Sequence, residues 1–131
     1  MAQIPYYPPN TNLGALVTLT AASTGTASAV QVNPFYKGVQ IGIDVTAITG
    51  TSPTLTVTLE GVDATTGSTF TVLASAAISA AGYTTLTVYP GIAVSANATA
   101  DTVLPYKWKI STAIGGTTPA VTAQITATSV L

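Results

Sequence analysis

The chain of 131 residues contains 47% hydrophobic but only 5% charged residues, and it has neither cysteine nor histidine. These counts exclude disulfides, thiolate or imidazole metal ligands, and catalysis by a Cys or His nucleophile–base pair. Three lysines and no arginine, against four acidic residues, argue against binding the phosphate backbone of nucleic acid. The length fits one domain, because domains typically contain roughly 100–200 residues.

The hydrophobicity of the chain is spread over short segments. Disorder requires low hydrophobicity with high charge, and a membrane helix requires about 20 consecutive apolar residues, so neither is expected here. The first residues, MAQIPYYPPNTN, have no basic segment followed by an apolar one, and we expect no secretory signal. With 26 threonines and 21 alanines, the surface is expected to be largely uncharged. Such a surface protects poorly against association, which predicts an oligomer or a lattice-bound protein.

Residues 1–12 differ from the rest of the chain. Their three prolines remove backbone donors and fix φ, which disfavours both helix and regular strand. We therefore predict an extended, partly polyproline arm, either a free terminus or a segment that docks on a partner. Adjacent tyrosines beside rigid prolines favour docking, because they offer a large contact area at low entropic cost. The predicted partner-binding residues are Ile4, Tyr6, Tyr7, Pro8 and Pro9.

From residue 13 onward, apolar and polar residues alternate with a period of two, which is typical of strands with one buried face. Six segments show this clearly and two more weakly; in chain order they lie around residues 16–20, 27–32, 39–47, 54–60, 70–73, 86–88, 104–110 and 121–128. Turn signals separate them, including those at 50–53 and 115–116, and residues 74–81 favour a turn or a short helix. About eight strands predict one all-β domain over residues 13–131, an antiparallel β-sandwich of jelly-roll or immunoglobulin-like type.

The alternation also predicts a core. Trp108 should be its central aromatic residue, with Tyr106 and Ile110 also facing inward and Lys107 and Lys109 facing solvent. The alternative is an exposed Trp and Tyr platform for a sugar. The predicted core positions are Val39, Ile41, Ile43, Val45, Leu55, Val57, Leu59, Leu86, Val88, Trp108, Ile110 and Ile125.

The ionisable residues give little support to catalysis. Asp44 and Glu60 lie on predicted neighbouring strands and both face outward, so they are candidates for a carboxylate pair, although isolated outward charges usually keep a sheet soluble. Asp63, with the Thr/Gly loop after it, falls far short of a calcium-binding pattern. We predict no enzyme, no metal and no cofactor.

The segments VTAITGTSPTLTVTLEG (45–61) and PYKWKISTAIGGTTPAVTAQITATSV (105–130), with the Pro/Tyr-bearing arm, resemble the β-sandwich capsid decoration (head auxiliary) proteins of tailed bacteriophages. The resemblance implies a virion structural protein on the outer capsid surface, made in the host cytoplasm. Its expected partners are the major capsid protein and copies of itself, often as a trimer, with no nucleic acid and no membrane. Its expected role is to cement or decorate capsomers and so stabilise the capsid.

A second function stays open at this point. The same sequence pattern is compatible with a glycan- or receptor-binding β-sandwich module of a phage head or tail, or of a bacterial surface. The two hypotheses differ in whether Trp108 and the tyrosines are exposed.

Overall fold

The computed structural model describes residues 10–33 and 35–131. These residues form one mixed sheet of seven strands, and no helix occurs among them. The strands are β1 (Thr11–Ala22), β2 (Gln31–Val32), β3 (Gly38–Val62), β4 (Thr69–Ala74), β5 (Gly82–Val88), β6 (Thr99–Ala100) and β7 (Lys107–Val130). The prediction of an all-β fold is confirmed. Within the described ranges, no segment is a helix of the length and hydropathy needed to cross a membrane.

The strands follow the order β1-β7-β3-β5-β6, with β2 beside β7 and β4 beside β3. All pairs are antiparallel except β5 and β6, which run parallel. The prediction of a wholly antiparallel arrangement is therefore wrong at this edge, because the loop after β5 folds back before β6 begins. The predicted arm covers residues 1–12, but its last two residues belong to a strand, because β1 begins at Thr11.

The two central strands, β3 and β7, are unusually long and pair with each other along nearly their whole length. β3 has 25 residues and joins two segments that the sequence predicts as separate strands, 39–47 and 54–60. β7 has 24 residues and likewise joins segments predicted as separate. The predicted turns at 50–53 and 115–116 are wrong: both lie inside strands, where the register of the β3–β7 ladder shifts.

The chain bends where those turn signals stand. Gly50 and Gly116 have positive φ, of 123° and 104°, so each lies in a backbone region that side chains rarely adopt. A Cβ on Gly50 would lie 2.8 Å from the carbonyl oxygen of Thr118, and one on Gly116 would lie 2.7 Å from that of Ser52. The two backbones therefore approach each other closely at a reciprocal pair of glycines, which we call the bend.

The bend divides the sheet into two parts. The five-stranded part contains β1, β5 and β6 with residues 38–49 of β3 and 120–130 of β7. The four-stranded part contains β2 and β4 with residues 54–62 of β3 and 107–115 of β7. Inward-facing side chains from both parts belong to one hydrophobic core, in which Val17, Ile41, Leu59 and Trp108 are all buried.

The predicted core is confirmed. Each of the twelve positions named from the alternation is at most 2% exposed. Residues that pair directly across antiparallel strands share a face, so Ile41 beside Leu86 and Ala127, and Leu59 beside Ile110, extend the apolar layer across the sheet.

Three local predictions fail. Tyr106 is 58% exposed, because β7 begins only at Lys107 and the preceding backbone is not yet part of the alternation. The segment 27–32 contains only the two-residue strand β2 and an isolated bridge from Ala27 to Ser111. Residues 74–81 are neither turn nor helix but continue β4 as an irregular extended edge, where Ile78 bridges Leu55.

Candidate binding surface

The predicted partner-binding residues Ile4, Tyr6, Tyr7, Pro8 and Pro9 lie outside the described residues, so the structure locates only the point where the arm joins the sheet. Asn10 is held there by Leu131, whose backbone N–H donates to its side-chain oxygen at 3.1 Å. Thr11 then pairs with Ser129 in the ladder and shares a hydrogen bond between hydroxyls with Tyr36. Asn10, the first described residue, therefore lies beside the C-terminal end of β7.

This junction belongs to the end of the molecule opposite the bend, which we call the arm end. It contains residues 32–33 and 35–37, the loop 63–68 with the first residues of β4 (69–70), residues 101–106, the beginning of β1, and the end of β7 with Leu131. Backbone hydrogen bonds join these segments: Asn33 N–H donates to the Tyr106 carbonyl at 2.7 Å, and Leu104 N–H donates to the Lys37 carbonyl at 2.9 Å. Leu104, only 2% exposed, closes the core at this end.

Large apolar side chains are exposed mainly at the arm end. Nine such side chains are exposed among the described residues, and six of them lie on segments that form this end: Val32, Phe35, Phe70, Val103, Tyr106 and Leu131. Each of the six is at least 41% exposed. Scattered apolar residues are normal on a protein surface, but a concentration of them at one end is typical of an interaction site.

A groove indents the arm end between β4 and the segment 100–105. Its volume is about 590 Å³, and its walls include Phe70, Val72, Val103 and Pro105. One carboxylate lines it, that of Asp101, whose Oδ1 accepts a hydrogen bond of 2.6 Å from the Gly91 N–H. The lining is thus mostly apolar, with one carboxylate and the hydroxyl-bearing residues Thr71 and Thr102, which suits an amphipathic aromatic ring.

Phe70 owes its position in that wall to a glycine. Gly61 lies between Trp108 of β7 and Phe70 of β4 in the ladder. A Cβ on Gly61 would lie 2.2 Å from the Phe70 ring, so the ring occupies the space that a side chain would take. A register shift between Leu59 and Glu60 lets both Leu73 and Phe70 face the same side of β4, and Phe70 lies at its half-exposed margin.

A second, more polar surface lies on the outer face of the five-stranded part. Thr18, Gln124, Asp44 and Tyr83 follow one another across β1, β7, β3 and β5 in a single row. A shallow groove of about 300 Å³ runs beside the first three of them. Tyr83 is 65% exposed, and its hydroxyl lies over Gly42.

The structure does not form the carboxylate pair that the sequence suggested. Asp44 and Glu60 lie on the same strand, on either side of the bend, rather than on neighbouring strands. Glu60 accepts a hydrogen bond of 2.7 Å from the Ser111 hydroxyl and stands opposite Lys109. Among the described residues there is no group of three or more acidic side chains that could hold a metal ion.

Asp63 organises the loop after β3. Its Oδ1 accepts hydrogen bonds from the backbone N–H groups of Thr66 and Thr65, at 2.9 and 2.8 Å. These donors stabilise the ionised carboxylate and hold the pKa of Asp63 below its ordinary value. The geometry is that of a turn stabilised by its own aspartate.

The exposure of the aromatic side chains bears on the alternative of a Trp and Tyr platform for a sugar. Trp108 is 1% exposed and cannot form a sugar-stacking platform, whereas Tyr83 and Tyr106 are exposed. Periodicity did not predict either exposure: Tyr106 precedes its strand, and Tyr83 lies on the outward side of β5 next to the irregular segment before it.

Comparisons with protein families, with curated proteins and with solved structures gave no match to this chain. The fold and the surface together define an all-β protein whose exposed large apolar side chains, among the described residues, lie mainly at one end.

Proposed function

We propose that this chain is a non-enzymatic virion structural protein that binds the outer surface of a phage capsid and cements or decorates capsomers. The observation that carries the proposal is the arm end: six exposed apolar side chains lie at the end of the molecule from which the Pro/Tyr-rich arm departs. A proline-rich segment and an apolar surface at the same end can bind a shell together, because both contacts form in one orientation.

The remaining surface supports the same proposal. The segments around the bend, 45–59 and 110–122, contain no charged side chain, so the charged residues all lie farther from it. Weak electrostatic protection favours close packing with neighbours. The proposed partners are the major capsid protein and copies of this chain, as a trimer, on the outside of the virion.

We further infer that the bent sheet is closed as a β-sandwich, with its five-stranded and four-stranded parts face to face. One core cluster shared by both parts, and backbone hydrogen bonds between Asn33 and Tyr106 and between Lys37 and Leu104, support this arrangement. Sheets that pack face to face lie about 10 Å apart and interdigitate their inner side chains.

Capsid occupancy tests the function. Capsids prepared without this protein are incubated with purified variants, sedimented, and analysed for bound protein. The Phe35→Ser/Tyr106→Ser variant should lose at least about tenfold in affinity, since buried aromatic anchors dominate interfaces. Tyr83→Ser is the matched control, because Tyr83 is equally exposed but lies away from the arm end. Equal occupancy for all variants would reject the arm end as the capsid-binding surface, and no occupancy by the unmodified protein would reject the function.

One observation favours a second function, glycan or receptor binding. In the row Thr18–Gln124–Asp44–Tyr83, an exposed ring adjoins a carboxylate and an amide, the groups that stack on and hydrogen-bond to sugars. A glycan array probed with the unmodified protein tests it, with Asp44→Asn expected to abolish any signal and Asp63→Asn to leave it unchanged. Absence of any bound glycan would remove this candidate.

A further inference from the structure

We propose that this chain contains two copies of one β-unit, residues 11–62 and 69–130, related by a two-fold axis through the bend. The first copy consists of β1, β2 and β3, and the second consists of β4, β5 and β7. Exchanging β1 with β4, β2 with β5, and β3 with β7 converts the strand order of the five-stranded part, without β6, into that of the four-stranded part. This relation does not depend on the proposed function.

The sequence and the backbone both repeat at the bend. The segments AITGTSPTLT (47–56) and AIGGTTPAVT (113–122) align without a gap, and six of the ten aligned residues are identical. The two bend glycines are equivalent in this alignment. Two residues after each of them, Ser52 and Thr118 also have positive φ, of 48° and 47°. Positive φ is uncommon for residues other than glycine, so its recurrence at equivalent positions is a specific correspondence.

The ladder between β3 and β7 maps onto itself when the two strands are exchanged. Ile48 pairs with Val121, and Leu55 pairs with Ile114. In the alignment of the bend, Ile114 is the counterpart of Ile48, and Val121 is the counterpart of Leu55. Each pair is therefore the image of the other, as a two-fold axis between the strands requires.

The outer strands β1 and β4 repeat the same irregularity. Leu16 of β1 and Val72 of β4 are each left out of the ladder at a register shift. They lie opposite residues 125–126 of β7 and 59–60 of β3, which are equivalent when the alignment of the bend is extended without a gap. Alternation does not require such a shift, so its recurrence at an equivalent point supports two copies of one unit.

The copies differ in the connection that precedes their long strand. This connection is short in the first copy, residues 33–37, and long in the second, residues 89–106. The long connection contains β6, and the Asn97 side-chain amide donates to the Ala74 carbonyl at 3.1 Å, so the connection covers the β5 and β4 edges. The parallel pair of strands therefore belongs to an insertion in the second copy, as does the wall of the arm-end groove at residues 100–105.

The beginning of β1 and the end of β7 are related as β4 and β3 are. The loop 63–68 joins β3 to β4, and the Asp63 N–H donates to the Ser68 carbonyl at 2.7 Å. At the equivalent place the Leu131 N–H donates to Asn10 at 3.1 Å. The two copies can therefore follow each other in either order.

A graft between the copies tests the proposal in the full chain. Residues 113–122 are replaced by AITGTSPTLT, the sequence of residues 47–56, which keeps the glycine at 116 and the proline at 119. The control places TAITGTSPTL, the sequence of residues 46–55, at the same ten positions. The control segment is thus out of register by one residue.

Urea unfolding followed by far-UV circular dichroism should show a cooperative transition for the in-register graft, with a midpoint lowered by at most about 1 M. The control should lose the cooperative transition, because a slip of one residue moves inward-facing side chains to the outer face and removes a glycine at positive φ. An in-register graft that does not fold, or equal midpoints for the two grafts, would overturn the proposal.

Circular permutation supplies a second test that retains every residue. One permutant joins Leu131 to Met1 and opens within the loop 63–68, so both copies stay continuous and only their order changes. The control permutant has the same joint but opens between Thr24 and Gly25, inside the first copy. Both openings lie at exposed residues, where permutation is usually tolerated. We expect the urea midpoint of the first permutant to exceed that of the control by at least about 1 M, and equal midpoints or the opposite order would overturn the proposal.

Discussion

Replacing Trp108 by alanine should remove a large fraction of the stability of the domain. Trp108 is 1% exposed, and its neighbour on β3 is Gly61, which has no side chain to move into the vacated space. An aromatic side chain buries roughly 150–250 Å², and at about 25 cal/mol per Å² this amounts to about 4–6 kcal/mol. Residual burial in the unfolded chain reduces the value, so we expect a loss of about 3–5 kcal/mol.

Urea unfolding followed by far-UV circular dichroism measures this loss, because the variant has no tryptophan left to report by fluorescence. With a slope of about 2 kcal/mol per molar urea, the midpoint should fall by about 2 M. Tyr106→Ala is the control: that side chain is 58% exposed, and its loss should cost less than about 1 kcal/mol. A cost under about 1 kcal/mol for Trp108→Ala would refute its place in the core.

Three further predictions concern glycines and the loop after β3. Gly61→Ala should destabilise the fold by about 1–3 kcal/mol, because the new Cβ would lie 2.2 Å from the Phe70 ring. Adding Phe70→Ala to the same chain removes that clash, so a double-mutant cycle of unfolding free energies should show part of the loss recovered. Gly116→Ala should lower the free energy of unfolding, measured in urea, more than Gly67→Ala does. Both glycines have positive φ, but a Cβ on Gly116 would also lie 2.7 Å from a backbone oxygen, whereas one on Gly67 would meet open space. Equal losses would contradict the close approach at the bend. The pKa of Asp63 is lower in the folded protein than in the unfolded chain. The ionised carboxylate therefore stabilises the fold above the ordinary pKa, and this stabilisation disappears as the pH falls through the lowered value. An NMR titration that gives the Asp63 carboxyl a midpoint at or above the ordinary pKa would disprove this.

The sequence alone determined the twelve named core positions, although not the exposure of Tyr106. In a strand, successive side chains point to opposite faces, so alternation is a local property that survives whatever the strand pairs with. For this reason Val39, Ile41, Leu55 and Leu86 were correctly predicted as core residues although their partners were unknown. The absence of a helical period likewise predicted the all-β class, and it is confirmed.

Only the tertiary structure decided whether the turn signals form hairpin turns or bends within a strand. Glycine at 50 and at 116 permits positive φ, which is equally compatible with a hairpin turn and with a bend inside a strand. The choice depends on the backbone opposite: Gly50 faces Thr118, and Gly116 faces Ser52, across a ladder that joins residues more than sixty positions apart. No local pattern contains that pairing.

The arm end is also a product of tertiary structure. Phe35, Phe70 and Tyr106 lie far apart in sequence, and each is an ordinary aromatic residue in its own segment. The fold gathers them because β3 and β7 each bend near their middle, so that the segments before β3 and before β7 meet at the opposite end of the molecule. The sequence indicated an arm with two tyrosines; the pairing of two long strands placed an apolar surface and a groove at the end where that arm begins.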